Sequence, residues 1–221
     1  MGRVFAIGDI HGCYNTLKTL LFDEIKITKD DELIFLGDLI DRGLKSKKVL
    51  KLILRLQKNG FNVSCLMGNH EIMLLKSIKS EVDFKHWIKY GGKETLESFK
   101  VSHPKYIKDK YLDFVSGFKN YIEFKDFILV HGGLNFEIDN PLLDLDSMAW
   151  IRNNKVDSSK INNRRIIVGH TPSTLKDIKK SLKTDRLLLD GGCVYKNKED
   201  LGYLVALELN EMSLFYYKNI D

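Results

Sequence analysis

Carboxylates, imidazoles and one amide recur along this chain in a spacing that suits metal chemistry. Asp9 and His11 lie in GDIHG (8–12), Asp38 in GDLIDRG (37–43), Asn69 in GNHE (68–71), His131 in HGG (131–133) and His170 in GHT (169–171). Four of the six histidines fall inside these glycine-anchored clusters, a concentration that core packing does not explain. Each cluster follows an apolar, strand-like run: VFAI, ELIFL, FNVSCLM, FILV and RIIV in turn. Carboxylate, imidazole and amide oxygen presented together at strand ends make a mixed nitrogen and oxygen site for first-row divalent metals. Bare carboxylates meeting in one crevice would repel and partly protonate without a cation between them. Asp9 and His11 stand two apart, so at an extended strand end their side chains share a face. His70 adjoins Asn69, and neighbours do not easily face one ion; one ligates while the other meets substrate. Arg42 carries a planar fork suited to phosphate oxygens, or else it neutralises Asp41.

The elements that must position these residues alternate in the first third. Strand 3–7 leads to a helix near 14–22, strand 32–36 to a helix near 47–59, and strand 61–66 to a helix beginning near Glu71. The βαβαβ order predicts parallel strands with right-handed crossovers, and ligands in such sheets bind beyond the strands' carboxyl ends. Residues 71–117 read as helical, with His86 and His103 as surface or packing residues. From Tyr121 onward short strands predominate, at 121–124, 127–130, 165–168, 187–189, 203–208 and 213–217. The expected fold is therefore α/β: two sheets packed face to face and flanked by helices, the first half βαβαβ and the second mostly antiparallel. At 221 residues one domain spanning 1–221 is expected.

Composition bounds the rest. Apolar content of 43% and charged content of 29% are ordinary for a globular chain. No apolar run approaches the roughly 18 residues of a membrane helix, and the first residues pass straight into a strand pattern, so no signal peptide and a cytoplasmic location are expected. Cys13, Cys65 and Cys193 are odd in number and form no CxxC pair, which reads as buried thiols and not as a disulfide frame. The net charge of +5 gathers at 45–48, 76–79 and 176–183. Solvated helix faces account for such runs, and without interleaved aromatics a nucleic-acid partner is not expected.

The order and spelling GDIHG … GDLIDRG … GNHE … HGG … GHT resemble the metal-dependent phosphoprotein phosphatase family, within the wider calcineurin-like metallophosphoesterases. Trp87, Gly91-Gly92 and Thr95-Leu96 resemble the W…GG…TL stretch of its small bacterial and phage members, Trp150-Ile151-Arg152 their W-x-R segment, and DGGCVY at 190–195 their late strand. Leu44, where a proline often follows DRG, and Gly191, where threonine is usual, depart from the pattern without touching a ligand position. The resemblance implies that Asp9, His11 and Asp38 hold one metal, and that Asp38, Asn69, His131 and His170 hold a second, with Asp38 shared. It implies His70 as the general acid, oriented and kept cationic by Asp41, with Arg42 and Arg152 on the phosphoryl oxygens. Arg164 and Arg165 compete with Arg152 for that role.

The chemistry expected is hydrolysis of a phosphoric monoester by a protein phosphatase for phosphoserine and phosphothreonine, with phosphotyrosine also open. Two divalent ions, Mn²⁺ first and iron or zinc as alternatives, would share a water and lower its pKa from about 15.7 towards about 7 for in-line attack. Substrates would be phosphorylated proteins or peptides, or small phosphoesters, met by a monomer with no membrane partner. The rival enzyme is a symmetrical dinucleoside polyphosphate hydrolase, similar through GDIHGCY. Such hydrolases commonly lack the second Asp of GDxxDRG and read GNHD, whereas this chain has Asp41 and Glu71. A remoter alternative is a metal-site scaffold that binds without turnover.

Overall fold

The computed structural model of the chain describes residues 2–152 and 155–221; Met1, Asn153 and Asn154 lie outside the described residues. The first third follows its apolar periodicity. Strand β1 (Val4–Ile7) precedes helix α1 (Tyr14–Thr19), β2 (Glu32–Phe35) precedes α2 (Ser46–Lys58), and β3 (Asn62–Cys65) precedes α3 (Asn69–Ser77). These three strands pair in parallel, Val4 opposite Glu32 and Glu32 opposite Asn62. Three further helices follow, α4 (Glu81–Trp87), α5 (Lys93–Phe99) and α6 (Asp109–Ser116), and then β4 (Tyr121–Phe124) and β5 (Phe127–Val130). The chain closes with β6 (Arg165–Val168), α7 (Leu175–Ser181), β7 (Arg186–Leu188), β8 (Tyr203–Glu208) and β9 (Ser213–Lys218).

Two mixed sheets result, in the orders β3-β2-β1-β8-β9 and β4-β5-β6-β7. Antiparallel pairing holds for β4 with β5, β1 with β8 and β8 with β9. The second half is thus mostly antiparallel, as expected, although within the second sheet β5, β6 and β7 run parallel. The physical reason is the length of the connections: residues 131–164 and helix α7 are long enough for crossovers, which parallel neighbours require.

Alternation along the strands decides what each face buries. Val4, Ala6, Ile34 and Leu36 turn inward against Leu129, Ile167 and Leu187 of the second sheet. Phe5, Ile7, Leu33 and Phe35 turn outward and pack under Leu17, Val49, Ile53 and Trp87 of the helices. The second sheet's other face, with Ile128, Val130, Ile166 and Val168, is covered by Phe136, Met148 and Ile161. Fully burying each such side chain contributes roughly 1.5–3 kcal/mol. Cys13, Cys65 and Cys193 are all buried, as expected. Among the described residues no helix is long and apolar enough to cross a membrane.

Candidate active site

The clusters converge where the carboxyl ends of β1, β2, β3, β5 and β6 meet at one edge of the two sheets. Five of the residues concerned adopt left-handed backbone that side chains normally avoid: His11 (φ 45°), Asp38 (49°), Asp41 (71°), Arg42 (65°) and His170 (66°). Each pays for that strain with a held N–H. His11 N donates to Asp38 O at 2.8 Å and Arg42 N to Gly91 O at 3.0 Å. Asp38 N donates to Glu71 Oε2 at 2.9 Å, Asp41 N to Thr95 Oγ1 at 3.0 Å, and His170 N to both Asp9 oxygens at 3.0 and 3.1 Å.

Glu71 is the residue whose part the sequence reading missed. Its buried carboxylate accepts from Asp38 N, Leu39 N (2.9 Å) and Gly68 N (3.2 Å), tying the second cluster to the third. The visible signal was Glu at the third position of α3, which places a carboxylate over the helix N-terminus. Gly68 permits the approach, since a Cβ there would lie 2.3 Å from Asp38 Oδ1 and 2.6 Å from Glu71 Oε2. Glu71→Ala leaves three buried N–H groups without an acceptor and is expected to lower folding stability by about 2–4 kcal/mol, since each unsatisfied buried group costs roughly 1–3 kcal/mol before relaxation. Urea denaturation checks this; an unchanged midpoint would remove Glu71 from the support of the loop.

Asp38 stands at the centre. Its Oδ1 lies 3.4 Å from His131 Nε2, and its Oδ2 lies 3.5 Å from His11 Nε2 and 4.0 Å from His70 Nε2. Burial would raise its pKa, but His131 and His70 outweigh burial and hold it well below the usual carboxylate range. Burial would likewise lower His131; the Asp38 carboxylate reverses this and raises it to about 10. His170 drops to about 3 through burial and the neighbouring His131. Asp9 is raised well above its ordinary value by burial and by Asp190. Asp190, a second residue missed from the sequence, is itself raised to about 6, chiefly by burial. Its signal was DGG at a strand end, the spelling of the other clusters.

The residues fit divalent metal on their own geometry. His11 Nδ1 lies 2.8 Å from Ile40 O and His131 Nδ1 2.8 Å from Leu36 O, contacts that place an N–H on Nδ1 and turn Nε2 toward Asp38, the atom that would meet an ion. Asn69 Oδ1 sits 2.9 Å from His170 Nδ1 and 3.2 Å from His131 Nε2. His170 Nε2 is buried without a hydrogen-bond partner. Among the described residues two groupings offer ligand atoms within 4.8 Å of one another, His11–Asp38–His70 and Asp38–His131–His170, and Asp38 belongs to both. Asp9 belongs to neither; its two oxygens are turned to the His170 N–H. Arg42 Nη1 reaches His11 Nε2 at 2.6 Å, so that contact and an ion on the same nitrogen exclude each other.

His70 is placed differently from the other imidazoles. It is fully buried, with Nδ1 2.7 Å from Asp41 Oδ2, while Nε2 has no partner. Trp87 Nε1 donates to the same Asp41 oxygen at 2.7 Å and Thr95 Oγ1 to the other at 2.7 Å. Burial lowers the His70 pKa, but Asp38 and Asp41 outweigh it, so the net shift is upward. Arg152 is exposed and close enough to His170 to depress that ring. Arg164 and Arg165 are committed elsewhere, to Glu123 at 2.6 Å and to the Leu182 and Thr184 carbonyls, at the opposite end of β6 from His170. His86 is exposed against Tyr90, and His103 stacks on Phe84.

Residues 2–210 match the calcineurin-like phosphoesterase family, and the chain belongs to it. Among curated proteins, the symmetrical bis(5'-nucleosyl)-tetraphosphatase of Wigglesworthia glossinidia brevipalpis is 46% identical over 84 residues, 35% of this chain and 29% of that protein. The chain thus matches under a third of that relative's length. Shewanella-like protein phosphatase 1 of Plasmodium berghei is 27% identical over 177 residues, 69% of this chain and 46% of that protein. A solved structure described as a candidate diadenosine tetraphosphatase superposes with a TM-score of 0.70 at 21% identity, covering 98% of this chain and 93% of that one. At that identity the likeness shows the fold.

Proposed function

We propose that the chain is a metal-dependent phosphomonoesterase acting on phosphorylated proteins or peptides, on serine and threonine and also on tyrosine. The observation that carries this reading is the buried pair His70 Nδ1–Asp41 Oδ2 at 2.7 Å, braced by Trp87 and Thr95, with His70 Nε2 left unpartnered. A serine alkoxide is a poor leaving group and gains most from a proton donor, whereas a nucleoside diphosphate leaves as a stable anion. A device built to hold a protonated imidazole suits the first.

Asp9, His11 and Asp38 would hold one ion, and Asp38, Asn69, His131 and His170 the other. When bound, the ions supply Lewis acidity, which makes a water acidic and offsets phosphoryl charge. Arg42 and Arg152 bind the phosphoryl oxygens and orient them. His70 holds its transferable proton at Nε2 and releases it to the leaving oxygen, while Asp41 fixes the ring and favours its charged form. Burial of His70, Asp38 and His131 keeps bulk water from competing for these contacts.

The second reading, a dinucleoside polyphosphate hydrolase, is favoured by the 46% identity over 84 residues. An activity panel with Mn²⁺ separates the two: phosphopeptides, an aryl phosphate and diadenosine tetraphosphate. A kcat/KM for the dinucleotide above that for every phosphopeptide would reverse the assignment. Chelation is expected to abolish turnover, with Mn²⁺ restoring it better than Mg²⁺ because imidazole ligands favour the softer ion. Full activity in excess chelator, with no metal by elemental analysis, would overturn the metal-dependent reading.

A further inference from the structure

The lysine run at 176–183, a charged segment with no evident task in the sequence, gains one from its surroundings. Helix α7 lies beside a cleft of about 440 Å³ lined by Thr174, Lys176, Lys180, Asp200, Tyr203 and Lys218, among others. Both walls follow, in sequence, clusters of the candidate active site. One wall is the continuation of GHT, four residues after His170, whose Ser173 N donates to Asp190 O at 2.8 Å. The other continues DGGCVY, where Tyr195 carries the Arg42 guanidinium over its ring at 5.7 Å and the Lys198 amine at 4.5 Å. Thr174 on the cleft lining is thus only four residues along the chain from His170.

Two of its lysines keep their charge unpaired. Lys176, Lys179 and Lys180 are exposed, and neither Lys176 nor Lys180 forms an ion pair among the described residues. Asp177 on the lining is taken by the helix start, accepting from Thr174 Oγ1 at 2.8 Å. Asp200 is the other acidic group on the lining. The structure also supplies the aromatics that the sequence pattern did not reveal beside these lysines. The Lys218 amine lies 4.6 Å from the Tyr203 ring and the Lys179 amine 5.0 Å from the Tyr216 ring, and the two rings meet edge to face at 81°. Rings so covered and so angled do not present the parallel open faces on which successive nucleobases stack. The Lys218 amine donates to Leu201 O at 2.8 Å and the Lys179 amine to Tyr216 Oη at 3.5 Å, which leaves Lys176 and Lys180 as the ammonium groups offered to carboxylates.

We propose that this cleft docks an acidic segment of the phosphorylated protein, at a short distance along the chain from the phosphoresidue; the proposal rests on the protein-phosphatase reading. Lys176 and Lys180 stand one helical turn apart, roughly 6 Å along α7, so a run of two or three acidic residues spans them. Such contacts raise the encounter rate and the fit of one substrate over another, and they weaken with salt.

The test compares the wild type with Lys176→Glu/Lys180→Glu, both loaded with Mn²⁺, on two phosphoserine peptides, one with a glutamate run and one with the run replaced by Gly and Ser, and on p-nitrophenyl phosphate. The wild type is expected to prefer the acidic peptide by about fivefold in kcat/KM at low salt, the scale of two exposed charge contacts. The double variant and high salt should each bring the ratio to one, with p-nitrophenyl phosphate turned over equally by both proteins. A second arm measures fluorescence anisotropy of an unphosphorylated glutamate-rich peptide and of an oligothymidylate, and so needs no turnover. Lysine-dependent binding of the peptide supports docking even if the panel above assigns the site to dinucleotides. Equal kcat/KM for the two phosphopeptides together with no peptide binding would overturn the proposal. Lysine-dependent binding of the oligothymidylate alone would replace the acidic segment with nucleic acid. The single Lys180→Ala variant repeats the comparison should the double variant prove unstable.

Discussion

Replacing His70 with asparagine is expected to cost about 10²–10⁴-fold in turnover of a phosphoserine peptide, the range for loss of a general acid. The loss should be smaller with p-nitrophenyl phosphate, whose phenolate leaves without a proton. Both metal ions should remain. The geometry makes the separation possible, because His70 Nδ1 is spent on Asp41 while Nε2, 4.0 Å from Asp38 Oδ2, is the only nitrogen free to act. The same proximity puts His70 in a grouping that could hold an ion, with His11 and Asp38. Metal counting by elemental analysis therefore decides between acid and ligand. A lost ion, or equal losses for the two leaving groups, would remove His70 from the acid role.

Asp41→Asn should give a milder form of the same leaving-group pattern. The carboxylate does not reach substrate; it orients the His70 ring and helps raise its pKa. Trp87 and Thr95 hold Asp41 from α4 and α5, so the pair is braced from outside the clusters that carry the chemistry. A ring held from one side loses less by neutralising its partner than by its own removal.

The parallel βαβ opening was legible because VFAI and ELIFL are buried on both faces and read as continuous apolar runs. The candidate ligand positions stand out in the sequence because each sits beside a glycine at a strand end. The direction of β6 and β7 was not, since a four-residue strand looks alike in either sense. The signal lay between them, where α7 was read as a charged run and not as a crossover helix. The bracing of Asp41 was also out of reach of spacing alone, because Trp87 and Thr95 stand 46 and 54 residues away. Those residues did appear in the W…GG…TL resemblance, but only packing shows what they touch. Arg164 and Arg165 sit at the strand's far end, tied to Glu123 and to backbone carbonyls, so of the three arginines weighed for the phosphoryl oxygens Arg152 is the one we propose.

Asp38→Asn is expected to be the most damaging single ligand change, cutting turnover by about 10³-fold or more, the scale of losing several kcal/mol of metal-derived stabilisation. Among the candidate ligands Asp38 alone belongs to both groupings, so its neutralisation weakens both ions, whereas His11→Gln or His170→Gln weakens one. Asparagine keeps the shape and one oxygen but turns an NH₂ toward His11 or His131 and removes the charge that holds His131 high. The fold should survive, because the Asp38 backbone is fixed by Glu71 and by its carbonyl's bond from His11 N, neither of which needs the side chain. Elemental analysis should find fewer than two ions per chain in Asp38→Asn, while circular dichroism matches the parent. Two retained ions with near-normal turnover would show that Asp38 is not shared between them, and the two sites would then have to be drawn with Asp9 and Asp190 in its place.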